Sequence, residues 1–151
     1  MNKNVIIARP HPFIVESMKP FLEEAGFSVS KLGSIDELAS QSQRSAGAII
    51  SLALSSPIPE SAQEVFARLR GTSARTPVLF ASMLPIEKIA STLEALAKKS
   101  GIAANILSHA SPSSNWGGLG KQETFLYLSK ADLDAPDRRA VLAQMARRHF
   151  L

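Results

Sequence analysis

The chain of 151 residues contains no cysteine. That absence removes a disulfide framework, thiolate metal clusters and every mechanism that attacks through sulfur. Long apolar runs are missing too: the longest, Ala46 to Leu54, is interrupted by Ser51 and falls far short of the roughly 20 residues that span a bilayer. The amino terminus lacks the basic, apolar and small-residue succession of a secretory leader. A soluble, cytoplasmic protein with no membrane partner is the expectation. Aromatic residues are scarce at 6%, yet 45% of the chain is hydrophobic and only 20% charged, a balance that supports one packed domain and excludes wholesale disorder.

What the chain does have is a mild excess of positive charge, 17 Lys and Arg against 13 Asp and Glu, or +4. Residues 1–75 carry eight basic against seven acidic side chains, whereas residues 76–151 carry nine against six. Arg138, Arg139, Arg147 and Arg148 fall in the last fourteen residues. A solvated helix face and a patch for an acidic partner or nucleic acid both fit this distribution.

Hydrophobic period and punctuation organise the chain. Val5 to Ala8 reads as a first buried strand, followed by a helical stripe of Ile14, Met18, Phe21, Leu22 and Ala25 that stops at Gly26 and is interrupted by Pro20. A second strand begins at Phe27 and Val29, and Ser34 with Glu37 matches a capping box opening a short helix. Ala48 to Leu54 is the best candidate for a central parallel strand, with a helix over Ala62, Val65, Phe66 and Leu69 behind it. Val78 to Ala81 forms a fourth strand, and Ile86, Ile89, Leu93, Leu96 and Ala97 stripe a long helix closed by Lys98, Lys99 and Gly101. Ile102 to Leu107 is a fifth strand. These alternations predict an α/β fold: a doubly wound, five-stranded parallel sheet with helices on both faces. Past a Ser-, Pro- and Gly-rich stretch at 108–121, the residues Glu123 to Leu128 predict an extra edge strand, with Phe125 and Tyr127 on one side and Thr124, Leu126 and Leu128 on the other. Asp134, Pro136 and Asp137 open a final helix whose inner face carries Val141, Leu142, Met145 and His149.

Such sheets bind ligands beyond the carboxyl ends of their strands, so the residues just after each strand carry the functional information. After the first strand stand Arg9, Pro10 and His11, with no glycine through residue 18, which removes the close backbone approach a dinucleotide needs. The only glycine cluster, Gly117, Gly118 and Gly120 before Lys121, opens no helix and reads as a turn. His11, His109 and His149 show no metal-ligand spacing, so neither metal nor cofactor is expected. His11 and His109 each follow a strand and could act as acid or base, or serve as polar loop residues. Trp116 in the polar loop is either a partner anchor or the clamp that folds that loop down.

Taken together, Val5 to Phe13, the helix ending Leu22-Glu23-Glu24-Ala25-Gly26-Phe27, the strand before Pro57, and Pro77-Val78-Leu79-Phe80 resemble the receiver (CheY-like) domain of bacterial response regulators. The resemblance covers about residues 4–112, leaving 113–151 as a C-terminal extension of a single receiver-like domain spanning 1–151. It implies a phosphoacceptor Asp after the third strand, an acidic pair holding Mg²⁺ after the first, a Thr or Ser after the fourth and a Lys after the fifth. Carried over one at a time, the acidic pair falls on Arg9 and Pro10, the acceptor on Ala53, the hydroxyl on Ser82 and the Lys on or near His109. Only the hydroxyl position is kept. The resemblance is therefore to a degenerate pseudo-receiver, in which aspartyl phosphorylation has neither attacking carboxylate nor metal ligands, and Arg9 could set a permanent cation where the family keeps Mg²⁺.

The reading that follows is a non-enzymatic, phosphorylation-independent interaction domain in bacterial signalling or transcriptional regulation. Its expected partner is a protein, a second copy of the chain included. Glu94, Lys98, Arg138, Arg139, Arg147 and Arg148, with Trp116, are the candidate contacts. Two alternatives stand beside it: nucleic-acid binding through the basic final helix, and a small doubly wound enzyme using Arg9, His11, Ser82 and His109 around an anionic substrate.

Overall fold

The computed structural model describes residues 3–9, 11, 14–52, 60–72, 76–121 and 123–150. Pro10 and Ala53, two positions of the expected phosphorylation pocket, lie outside the described residues. Strands β1 (Lys3–Arg9), β2 (Phe27–Lys31), β3 (Gly47–Ser51), β4 (Val78–Ser82), β5 (Asn105–Leu107) and β6 (Thr124–Ser129) form one parallel sheet in the order β2-β1-β3-β4-β6-β5. The sheet thus has six strands, not five.

Side chains alternate across it as a strand period of two demands. Val5, Ile7, Ile49, Leu79, Leu126 and Leu128 pack with α1 (Lys19–Glu24) and the carboxyl-terminal helix α6 (Pro136–His149). Ile6, Ile50, Val78, Phe80, Phe125 and Tyr127 pack with α2 (Leu38–Ser42), α3 (Ala62–Thr72) and α4 (Ile86–Lys99). A short helix, α5 (Lys130–Asp134), links β6 to α6. No helix among the described residues is long and apolar enough to cross a membrane.

The sequence places Glu123–Leu128 at an edge; the structure places it inside. β6 pairs with β4 from Val78–Phe125 to Ser82–Ser129 and with β5 on its other side. All six of its residues are buried, and a strand buried on both faces gains the ladder on both edges only in the interior. The short, partly exposed β5 takes the edge instead. Residues 124–150 therefore complete both layers of the fold.

Local signals met mixed fates. Pro20 falls in the first turn of α1, directly after a π-helical turn over Ile14–Met18, which is the expected interruption. Ser34 makes no capping hydrogen bond: Glu37 N donates to the Ser34 carbonyl at 3.2 Å, and Glu37 Oε2 accepts from Gly33 N at 3.4 Å. Reciprocal boxes form at two other places: Ser61 with Glu64 ahead of α3 and Ser129 with Asp132 at α5. Asp134 ends α5 and does not cap α6, whose N-cap is Ala135.

The end of α6 is tied to the sheet by His149, fully buried on the apolar face. Gly120 N donates to Nδ1 at 3.0 Å, so the ring proton is on Nε2 and donates to Val78 O at 2.8 Å. Burial, the larger cause, and the Arg70 charge push the imidazole down to about 4. Next to it Phe150 stacks edge-on against Phe27, ring centroids 5.7 Å apart. A Cβ on Gly47 would come within 2.0 Å of the Phe150 ring, so β3 must start with glycine for the ring to lie on it.

Two outcomes are expected. Gly47→Ala loses about 1–3 kcal/mol in urea unfolding through overpacking, and Phe150→Leu in the same background recovers part of it; equal stability of Gly47→Ala and wild type would contradict this packing. The unfolded imidazole takes up a proton near pH 6.5 that the folded one refuses until about 4. Stability therefore falls as pH drops through that window, by about 3 kcal/mol in all, and His149→Gln removes this component of the slope.

Candidate functional site

β1 and β3 lie side by side, and their connections depart to opposite faces of the sheet, the arrangement that opens a ligand crevice at the carboxyl ends. The register shifts by one residue between Ile7 and Arg9, so that Arg9 stands opposite Ile50. A bulge of this kind re-aims the side chain that follows it. Arg9 is only 5% exposed: its guanidinium donates from NH1 to Ser51 O and from Nε to Glu60 O, both at 2.9 Å. Burial lowers its pKa, but a guanidinium stays charged throughout the physiological range. The donor set at the β1 tip does not suit Mg²⁺, which asks for anionic and carbonyl oxygens in an octahedron. Among the described residues no group of three His, Asp or Glu side chains is placed to hold a metal ion.

Ser82 ends β4 and is closed in by hydrogen bonds. Tyr127 OH donates to Leu84 O, so the 2.9 Å contact between the two hydroxyls has Ser82 donating to Tyr127. Ser82 Oγ then accepts from Leu84 N at 2.9 Å. Both hydroxyls are committed to holding the turn after β4, and burial raises the Tyr127 pKa, so neither is an activated nucleophile.

The sheet order changes one assignment. In the flavodoxin-like order 2-1-3-4-5 the strand beside the fourth is the fifth; here β6 lies beside β4. The residue that follows it is Lys130, so the lysine position falls there and not on His109, which follows the edge strand. Lys130 Nζ is 3.3 Å from Asp134 Oδ2 on the exposed face of α5.

His109 enters a different cluster. Its Nε2 is 3.4 Å from Asp132 Oδ1, and Arg138 NH1 reaches the same oxygen at 3.4 Å. Asp132 is buried, with Oδ2 accepting from Ser129 N at 2.9 Å. These residues line a cleft of about 330 Å³ together with Met83, Ile86 and Glu87.

The remaining candidates are dispersed. Glu94 and Lys98 are exposed on α4, beside a shallow groove against Gly101–Ala104. Arg139 pairs with Glu24, Arg147 donates to Ala25 O at 3.1 Å, and the Arg148 guanidinium lies 5.9 Å from the Trp116 ring centre. Trp116 itself donates to Ser111 O at 3.4 Å and packs on the core, folding its loop down. The four arginines of α6 therefore each make a contact within the chain. His11 is half-buried beyond β1. Lys130, Tyr127 and Asp132 were missed from sequence; the signal available was a lysine two residues after the run Thr124–Leu128.

These features define a doubly wound α/β domain with a six-stranded parallel sheet. Its sheet carries one added edge strand, and a cation stands at the β1 tip. Solved structures agree on the fold. The receiver domain of a sensor histidine kinase from Pseudomonas aeruginosa PAO1 superimposes with a TM-score of 0.59 at 12% identity, covering 99% of this chain and 98% of that one. A CheY-like response regulator receiver domain from Methylobacillus flagellatus gives 0.53 at 19% identity over 97% and 98%. An orphan response regulator of H. pylori gives 0.54 at 14% over 97% and 96%. No family model and no curated protein sequence matches the chain.

Replacing Arg9 by Met leaves the Ser51 and Glu60 carbonyls without these donors and is expected to cost about 1–3 kcal/mol. Chemical denaturation of Arg9→Met measures this, and an unchanged midpoint would contradict a bridging role.

Proposed function

We propose that the chain is a phosphorylation-independent, receiver-like protein–protein interaction domain of bacterial signalling or transcriptional regulation, and not an enzyme. The observation that carries this reading is Arg9, whose buried guanidinium bridges Ser51 O and Glu60 O at the carboxyl end of the sheet. In the structurally similar kinase receiver from P. aeruginosa a magnesium ion is coordinated in the active-site cleft; a guanidinium in that position repels a divalent cation and supplies no ligand. Sequence places alanine, at position 53, where the family has its acceptor carboxylate, so no oxygen is available there to attack phosphorus. The committed hydroxyl of Ser82 adds further support. With the phosphoryl switch absent, the frame can act through its surfaces, and the exposed α4 residues Glu94 and Lys98 are contacts for a signalling partner. Nucleic-acid binding gains less support, since Arg139, Arg147 and Arg148 are turned to Glu24, Ala25 and Trp116, leaving Arg138 alone of the four with most of its donors open.

Incubation with acetyl phosphate and Mg²⁺ tests the proposal. The intact mass is expected to remain unchanged, whereas a hydroxylamine-sensitive acyl phosphate on any carboxylate would overturn it.

A further inference from the structure

Two pairs of neighbouring strands send their connections to opposite faces: β1 with β3, and β4 with β6. Each such pair opens a crevice at the carboxyl ends of the sheet, where folds of this kind take their ligands. Arg9 crosses the first. The second remains open as the cleft of about 330 Å³, within the roughly 300–1,000 Å³ typical of small-molecule sites.

The walls of this cleft differ in character. Met83, 56% exposed, and half-buried Ile86 form an apolar side. Asp132, which also lines the cleft, has both oxygens engaged: Oδ2 by Ser129 N, Oδ1 by His109 and Arg138. A carboxylate so occupied orients its two donors and does not serve an incoming cation. Arg138 is half exposed and has only one of its five N–H donors on Asp132. Exposed Glu87 also lines the cleft, and no hydrogen bond or ion pair joins it to another described residue.

Charge then selects the ligand. Arg138, Asp132 and Glu87 sum to one negative charge with a neutral imidazole, and to zero with an imidazolium. A bare anion would meet Glu87 and a bare cation would meet Arg138; a molecule carrying both charges satisfies both. We propose that the cleft between β4 and β6 binds a free α-amino acid with a short apolar side chain. Its carboxylate pairs with Arg138, its ammonium with Glu87, and its side chain packs on Met83 and Ile86. This site is independent of the interaction reading above, and either can fail without the other.

Titration of the ¹⁵N-labelled protein with L-valine, L-leucine and L-methionine tests the inference, with 4-methylpentanoate and 3-methylbutylamine as single-charge controls. At least one amino acid is expected to shift the amide signals of Glu87, Ala131 and Asp132 saturably. Both controls, and the variants Arg138→Gln and Glu87→Gln, are expected to bind at least about tenfold more weakly, the worth of one charge-assisted contact. Both substituted residues are exposed, and unchanged signals elsewhere verify that each variant stays folded. Three results would overturn the site: no saturable shift with any of the three amino acids at concentrations on the order of 10 mM, equal binding by a control, or wild-type affinity in both variants.

Discussion

A strand that is buried along its whole length needs a hydrogen-bonded neighbour on each side and a helical layer on each face, and β6 imposes that constraint on everything around it. Thr124 to Ser129 are all buried, so the strand is driven between β4 and β5, and the shorter β5 is displaced to the rim. Tyr127 is thereby brought against Ser82. The chain leaving β6 sets Lys130 and Asp132 at the carboxyl end, and α6 returns across the face occupied by α1. His109, carried outward with β5, still reaches Asp132. The second cleft is a product of this insertion.

The other end of the crevice system is governed by one cation. Burying a guanidinium costs solvation that must be restored by oriented dipoles or an opposite charge. The carbonyls of Ser51, the last residue of β3, and of Glu60, in the bend ahead of α3, supply part of that. The β1 tip therefore holds a fixed positive charge, set by backbone geometry and insensitive to pH over the range in which imidazoles and carboxylates titrate.

Much of this was legible in the sequence. The alternation of strands and stripes located β1 to β4, α3, α4 and α6, and the period of two in Thr124–Leu128 assigned Phe125 and Tyr127 to one face and Leu126 and Leu128 to the other, as found. Periodicity reports which face a residue takes but is silent on which strand stands beside it; assuming that sheet order follows chain order set β6 at the edge and moved the lysine position to His109. Cap motifs are equally local. Ser34-Glu37 and Ser61-Glu64 have the same spacing, yet only the second closes, since Glu37 spends its N–H on the Ser34 carbonyl and its carboxylate on Gly33. His149 looked like one more residue on an apolar stripe; its bonds to Gly120 and Val78 join segments far apart in the chain, and no short-range pattern encodes them. The Arg9 substitution was visible, but its bridge depends on a register shift in β1 that the apolar run does not announce.

The insertion of β6 has a consequence for how the chain reaches this state. β5 is synthesised before β6, so a growing chain has β4 and β5 available to pair before their proper intermediary emerges. A ladder formed that early would have to open again for Thr124–Ser129 to enter, a long-range closure of the kind that slows folding. The brevity and exposure of β5, three residues with only Leu107 buried, keep such a ladder weak, and weakness in that strand is what allows the correct order to be reached.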